Sequence, residues 1–225
     1  MLWTADAGGA GRGWRRAMTD GITVAALLLV IGPVVGGVGL SNPALFRVWS
    51  ESREEQFATI LAHRRTWISI NAGFVIATLM TAAGLIVLAG ALDVADGPRA
   101  ILAAAAIVYA IAGALWCSVL AIRTRTTPAL AEMVAAGTPT EPAETLLGAT
   151  LGGLFAAFVL ATGAALLTVG IGLALGGGVG APIAGFAIVV AVVAVVGFFL
   201  SGDVIPAILY TPTLLIGLAL LLGWR

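Results

Sequence analysis

Six apolar runs decide what this chain is able to fold into: residues 22–40, 66–92, 100–122, 146–175, 181–200 and 204–222. Each is near or above the roughly 20 residues that carry a helix across the hydrocarbon core of a bilayer. In hydrocarbon, a helix satisfies its own backbone donors and acceptors, so runs of this length take helical form. A transmembrane barrel needs apolar and polar residues alternating along each strand, and these runs do not alternate. The chain is 60% hydrophobic and 10% charged, against about 25% charged in a soluble domain. The expected fold is all-α: an integral membrane bundle of six transmembrane helices. Residues 21–225 form its single domain, behind a flexible N-terminal tail over residues 1–20.

Punctuation between the runs sets the topology. The first and third connections are long and polar, while the second and fourth are short. In a six-span bundle the odd-numbered connections share one membrane face, so both long connections and the Asp203 turn lie together, opposite the termini. Asp96-Gly97-Pro98 reads as a turn followed by a helix start. Thr127-Pro128 opens a short helix that Gly137 ends. Pro212, inside the last run, kinks it. Gly32 and Gly36 are a small-xxx-small pair that lets a neighbouring helix approach. A cleaved signal peptide is the competing reading of residues 1–40, but the run is long for one and contains Pro33. The termini side carries Arg12, Arg15, Arg16, Arg99 and Arg225, and the other side Arg47, Arg53, Arg64, Arg65, Arg123 and Arg125. The two counts nearly tie, and the tail arginines, which precede the first span, favour termini in the cytoplasm of a plasma-membrane protein.

A dense polar stretch, with seven of the 22 charged residues, falls between residues 41 and 65, ahead of the second run. Asn42 suits an N-cap and Pro43 a first helical position, so residues 43–49 form a short interfacial helix between spans one and two. Ser52 and Glu55 have capping-box spacing. A second helix starts there and runs through His63 into the membrane.

The familiar chemistries do not assemble from these residues. One histidine and one cysteine cannot make an H-E-x-x-H or a paired-histidine metal site. The chain has no lysine, which removes a Schiff base and a phosphate-binding P-loop. Glu54-Glu55 lacks the arginine and further histidines of intramembrane CAAX-type proteases. Thr168-Val169-Gly170-Ile171-Gly172 has the letters of a potassium filter, but small residues of this kind also serve ordinary helix packing. No charge lies deep in any run, which counts against an ion-driven pump. Net charge is zero, so no field draws nucleic acid.

A polar stripe remains. Arg64, Asn71 and Thr78 are seven apart, as are Asp203, Tyr210 and Gly217, and seven-residue spacing keeps each set on one helix face. The candidate cluster is His63, Arg64, Arg65, Trp67, Asn71, Asp203 and Tyr210. In it Arg64 or Arg65 pairs with Asp203 at the membrane boundary, and Asn71 and Tyr210 lie about 10 Å deeper. It reads as a structural fastening of two helices or as a polar pocket open at the long-loop face. No residue is assigned a catalytic role, no metal site is expected, and no cofactor is implied.

The segment Ala62-His63-Arg64-Arg65-Thr66-Trp67, entering a span, resembles small uncharacterised multi-pass membrane proteins of GC-rich bacteria, which carry an A-H-R-x-x-W-like entry to their second helix. The likeness covers about the first 90 residues. It implies a membrane fold and carries no activity. The expected function is that of a non-enzymatic integral membrane protein with a structural, regulatory or partner-binding role. The alternatives are a small transporter or lipid-binding protein, and an intramembrane lipid-modifying enzyme with His63 as base. Expected partners are membrane lipids and a second copy or another membrane protein, without nucleic acid.

Overall fold

A methylene added to Gly32 would sit 2.8 Å from Thr81 Oγ1 and 2.9 Å from the Ala77 carbonyl. Backbones therefore touch here, and close approach of this kind is what holds apolar helices together in lipid, where burial alone offers little. The computed structural model describes residues 7–42, 48, 51–177 and 179–224, with side chains for all of these except 7–18 and 40. Among the described residues it is all-helical, with seven α-helices and no strand. They are α1 (Ala7–Leu40), α2 (Arg53–Ala62), α3 (Arg64–Ala91), α4 (Asp96–Ala135), α5 (Glu141–Gly176), α6 (Ala181–Ser201) and α7 (Pro206–Leu221).

Five of these, α1 from Thr19 onward and α3 to α6, are long and apolar enough to cross a membrane. This makes the chain a multi-pass membrane protein in outline. The sixth expected span is α7, a shorter apolar helix of 16 residues. It is shorter than its apolar run because Asp203–Ile205 stay non-helical, Pro206 fixes the start, and Gly223 takes a φ of 70° just past the end. Helical backbone begins at Ala7, so it passes through most of the segment read as a tail. The short helix expected over residues 43–49 lies outside the described residues apart from Val48, which is buried with Ile60 and Trp67.

The helices run up and down. Gly21 meets Ala91 at one end of α1 and α3, and Gly39 meets Ile70 at the other, so the pair is antiparallel. Trp67 reaches Arg123 while Thr78 lies against Gly113, which sets α4 antiparallel to α3. Gly172 and Gly176 pack on Leu102 and Val94, setting α5 against α4, and Gly163 and Gly170 pack on Val195 and Ile188 of α6. The C-terminal half of α7 closes on α1 through Gly217, where an added Cβ would lie 2.9 Å from the Ala26 carbonyl. A core of Leu29, Leu88, Leu120, Leu166, Leu173 and Ile216 fills the interior.

Two local expectations are corrected. Pro128 does not open a new helix; it lies inside the 40-residue α4, which continues through it to Ala135. Pro128 and the following Leu130 and Ala131 are buried, so the helix passes the missing N–H with its side chains packed. It stops where expected, at Gly137 with φ 72°. There the amides of Gly137 and Thr138 donate to the carbonyls of Val134 and Met133, which is a Schellman end. The helix starting at Ser52 does not run unbroken into the membrane: His63, at φ −119° and ψ 33°, separates α2 from α3. The Thr168–Gly172 stretch is continuous α5 helix.

Candidate functional site

Two layers of polar residues stand out, one at the long-loop end and one in the middle of the bundle. The outer layer grows from helix length. At 1.5 Å per residue, the 40 residues of α4 and 36 of α5 extend to roughly 60 and 54 Å, about twice a hydrocarbon core. The excess of both lies at the end where residues 136–140 join them, and α2 lies against it. Arg53 binds this hairpin: its Nε donates to Glu144 Oε2 at 2.6 Å and its second nitrogen to Thr140 Oγ1 at 3.0 Å. The Arg53 guanidinium also lies 5.5 Å from the Phe57 ring. Arg64 pairs with Glu132.

The start of α2 is fixed by Ser52, whose amide and hydroxyl both donate to Glu55 Oε2, at 3.0 and 2.8 Å. These bonds favour the ionised carboxylate and hold the Glu55 carboxyl below its usual range. The bond to Glu144 raises the Arg53 guanidinium further.

Below this layer, Trp67 Nε1 donates to the Arg123 carbonyl at 3.3 Å, and the Arg123 guanidinium lies 5.3 Å from the Trp67 ring. The charge of Asp203 acts on Arg123. The expected pairing of Asp203 with Arg64 or Arg65 does not form among the described residues: Glu132 takes Arg64, and Asp203 acts on Arg123 through its charge without an ion pair between the two. The reason is register. Tyr210 meets Thr78, one heptad beyond Asn71, so α7 enters about 10 Å deeper than equal starts imply.

Asn71 is 4% exposed and donates to the Trp67 carbonyl at 2.8 Å. Tyr210, 5% exposed, reaches Thr78 Oγ1 at 2.6 Å. His63 and Arg65 are exposed at the α2–α3 junction, and the His63 carbonyl accepts the Trp67 amide at 2.9 Å. The seven candidates thus do not form one group. Trp67 packs on Arg123 and its carbonyl accepts the Asn71 side-chain amide, Tyr210 joins Thr78 in the centre, Asp203 accepts the Val204 amide at the α6–α7 turn, and His63, Arg64 and Arg65 stay at the rim.

The central layer includes residues the sequence reading passed over. Trp116 stacks on Phe158 with centroids 4.9 Å apart. Its Nε1 lies near the Tyr210 hydroxyl but makes no hydrogen bond of acceptable geometry. Tyr109 is 3% exposed in the same layer. Tyr109, Trp116 and Arg123 are seven apart on α4, the same spacing that singled out the stripes on α3 and α7, and would have pointed to them.

Two hollows adjoin these layers. A cleft of about 120 Å³ between α1, α3 and α7 is lined by Pro33, Gly36, Phe74, Ala207, Tyr210 and Thr211, among others. A shallower groove of about 400 Å³ on the projecting hairpin is lined by Leu130, Met133, Leu146 and Leu147, among others. Comparison with protein-family models, with curated proteins and with solved structures finds no match to this chain.

Proposed function

We propose that this is a six-span plasma-membrane protein with a non-enzymatic, partner-binding role, its termini on the cytoplasmic side and its helical head on the opposite face. One observation carries the reading. The excess lengths of α4 and α5, together with α2, are tied into a single head by Arg53–Glu144, Arg53–Thr140 and Arg64–Glu132. A chain that needed only to cross the bilayer would not require about 25 Å of surplus helix on one face. Leu146, at the start of the fourth apolar run where the head meets the span, is 71% exposed, an apolar side chain that suits contact with another protein.

A photoreactive residue at position 146, compared with one at Val193 on the outward face of α6, tests this. Protein adducts of defined mass at 146, with lipid adducts alone at 193, support the reading. Lipid adducts alone at both positions contradict it. The lipid-binding or transporter reading is favoured by the cleft beside Tyr210. It predicts instead a bound lipid retained through purification and lost in Tyr210 variants.

A further inference from the structure

We propose that the N-terminal half of α7 is a hinged wall of the cleft between α1 and α7, latched to the bundle centre by the Tyr210 hydroxyl. Four features of the structure converge on this.

The first is the hinge. Pro212 lies inside α7 and has no N–H, so the Ile208 carbonyl loses its helical donor and the helix is weakest there. The second is an anchor on one side of it. Gly217 packs backbone to backbone on α1, where an added Cβ would meet Ala26 O, Leu29 Cβ and Val30 Cγ2, all at 2.9 Å. The C-terminal half is therefore held, while the N-terminal half enters through the non-helical residues Asp203–Ile205 after Gly202, whose φ is 75°.

The third is the wall itself. Ala207, Tyr210 and Thr211, all before Pro212, face Pro33, Gly36 and Phe74 across the cleft of about 120 Å³. A Cβ added at Gly37, on the same cleft, would meet nothing within 4 Å, so α1 leaves room for the wall to move inward.

The fourth is a latch with a second position within reach. Thr78 donates its only hydroxyl proton to the Phe74 carbonyl at 2.7 Å, so Tyr210 is the donor in its 2.6 Å bond to Thr78. This leaves the lone pairs of the Tyr210 oxygen as acceptors, and the nearby Trp116 Nε1, on a side chain 4% exposed, has a proton and no partner. A buried donor without a partner is costly. A small rotation of the wall that aligns the Tyr210 oxygen with Trp116 Nε1 strengthens that contact, which gives the wall a second position beside the first.

The test uses full-length protein in lipid nanodiscs, with Cys117→Ser, and pairs of spin labels read by pulsed electron resonance. Labels at residues 38 and 208 report the wall, and labels at 27 and 218 report the anchored half. Tyr210→Phe removes the latch while Thr78 keeps its own acceptor; it should broaden the 38–208 distances and leave 27–218 unchanged. Pro212→Ala restores the helical donor and should narrow the 38–208 distances, which decides the matter even if the Tyr210 variant does not fold. A 38–208 distribution identical in parent, Tyr210→Phe and Pro212→Ala overturns the proposal. So does an equal response from the 27–218 pair.

Discussion

The Tyr210 hydroxyl donates to Thr78 Oγ1 at 2.6 Å, and Thr78 passes its own proton to the Phe74 carbonyl at 2.7 Å. This relay joins α7 to α3 in the interior. Interhelical hydrogen bonds of this kind in membrane proteins average about 0.6 kcal/mol. Tyr210→Phe and Thr78→Ala should each lower stability, and the double variant should fall short of their sum by about that amount. A double-mutant cycle on unfolding in mixed micelles measures it. Strict additivity would mean that the two hydroxyls do not act on each other.

Two glycines on α1 should respond oppositely to the same substitution. Gly32→Ala places a methyl 2.9 Å from the Ala77 carbonyl, whereas Gly37→Ala meets nothing within 4 Å. Overpacking of this sort costs about 1–3 kcal/mol, so Gly32→Ala should lower the melting temperature in detergent. Gly37→Ala should leave it level or raise it slightly, since alanine favours helix over glycine. Equal effects at both sites would contradict the close α1–α3 contact.

The all-helical membrane fold was legible because run length and the need to satisfy backbone groups in lipid leave few options. The end of α4 at Gly137 was legible for a local reason, its φ of 72°. Continuation through Pro128 was not legible, because neighbouring packing outweighed the lost hydrogen bond. Arg64 found Glu132 rather than Asp203 because pairing depends on the axial offset between helices. Heptad spacing identifies a face of each helix and says nothing about how far one helix slides along another. Trp116 and Tyr109 were hidden for a simpler cause: aromatic residues in an apolar run look like core until a hydroxyl on another helix comes near.

The corrected ion pairing makes a distinct prediction. Arg64 and Glu132 side chains are 53% and 52% exposed, so their pair should contribute no more than about 1 kcal/mol. Asp203→Asn should couple to Arg123→Gln in a double-mutant cycle on unfolding. It should show no coupling to Arg64→Gln. Coupling of Asp203 to Arg64 would restore the pairing read from spacing.

The start of α2 should depend on acid. Glu55 has its carboxyl held low by Ser52, so its contribution is complete above the unfolded-state value of about 4.3 and is lost as pH falls through the lower folded value. Amide exchange in the first turn of α2 should accelerate beyond its intrinsic pH dependence below about pH 4. Glu55→Gln should abolish that excess. A flat protection profile down to pH 2 in the parent protein would be inconsistent with the Ser52–Glu55 bonds.

The central claim is that α2, the end of α4 and the start of α5 form one head on a single membrane face, with the α3–α4 turn on the other. Single cysteines at residues 52, 138 and 97, each in a Cys117→Ser background, test it with an impermeant thiol reagent on sealed vesicles of known orientation. The account predicts that residues 52 and 138 are labelled from the same side and residue 97 from the opposite one. Labelling of 52 and 138 from opposite sides would contradict it.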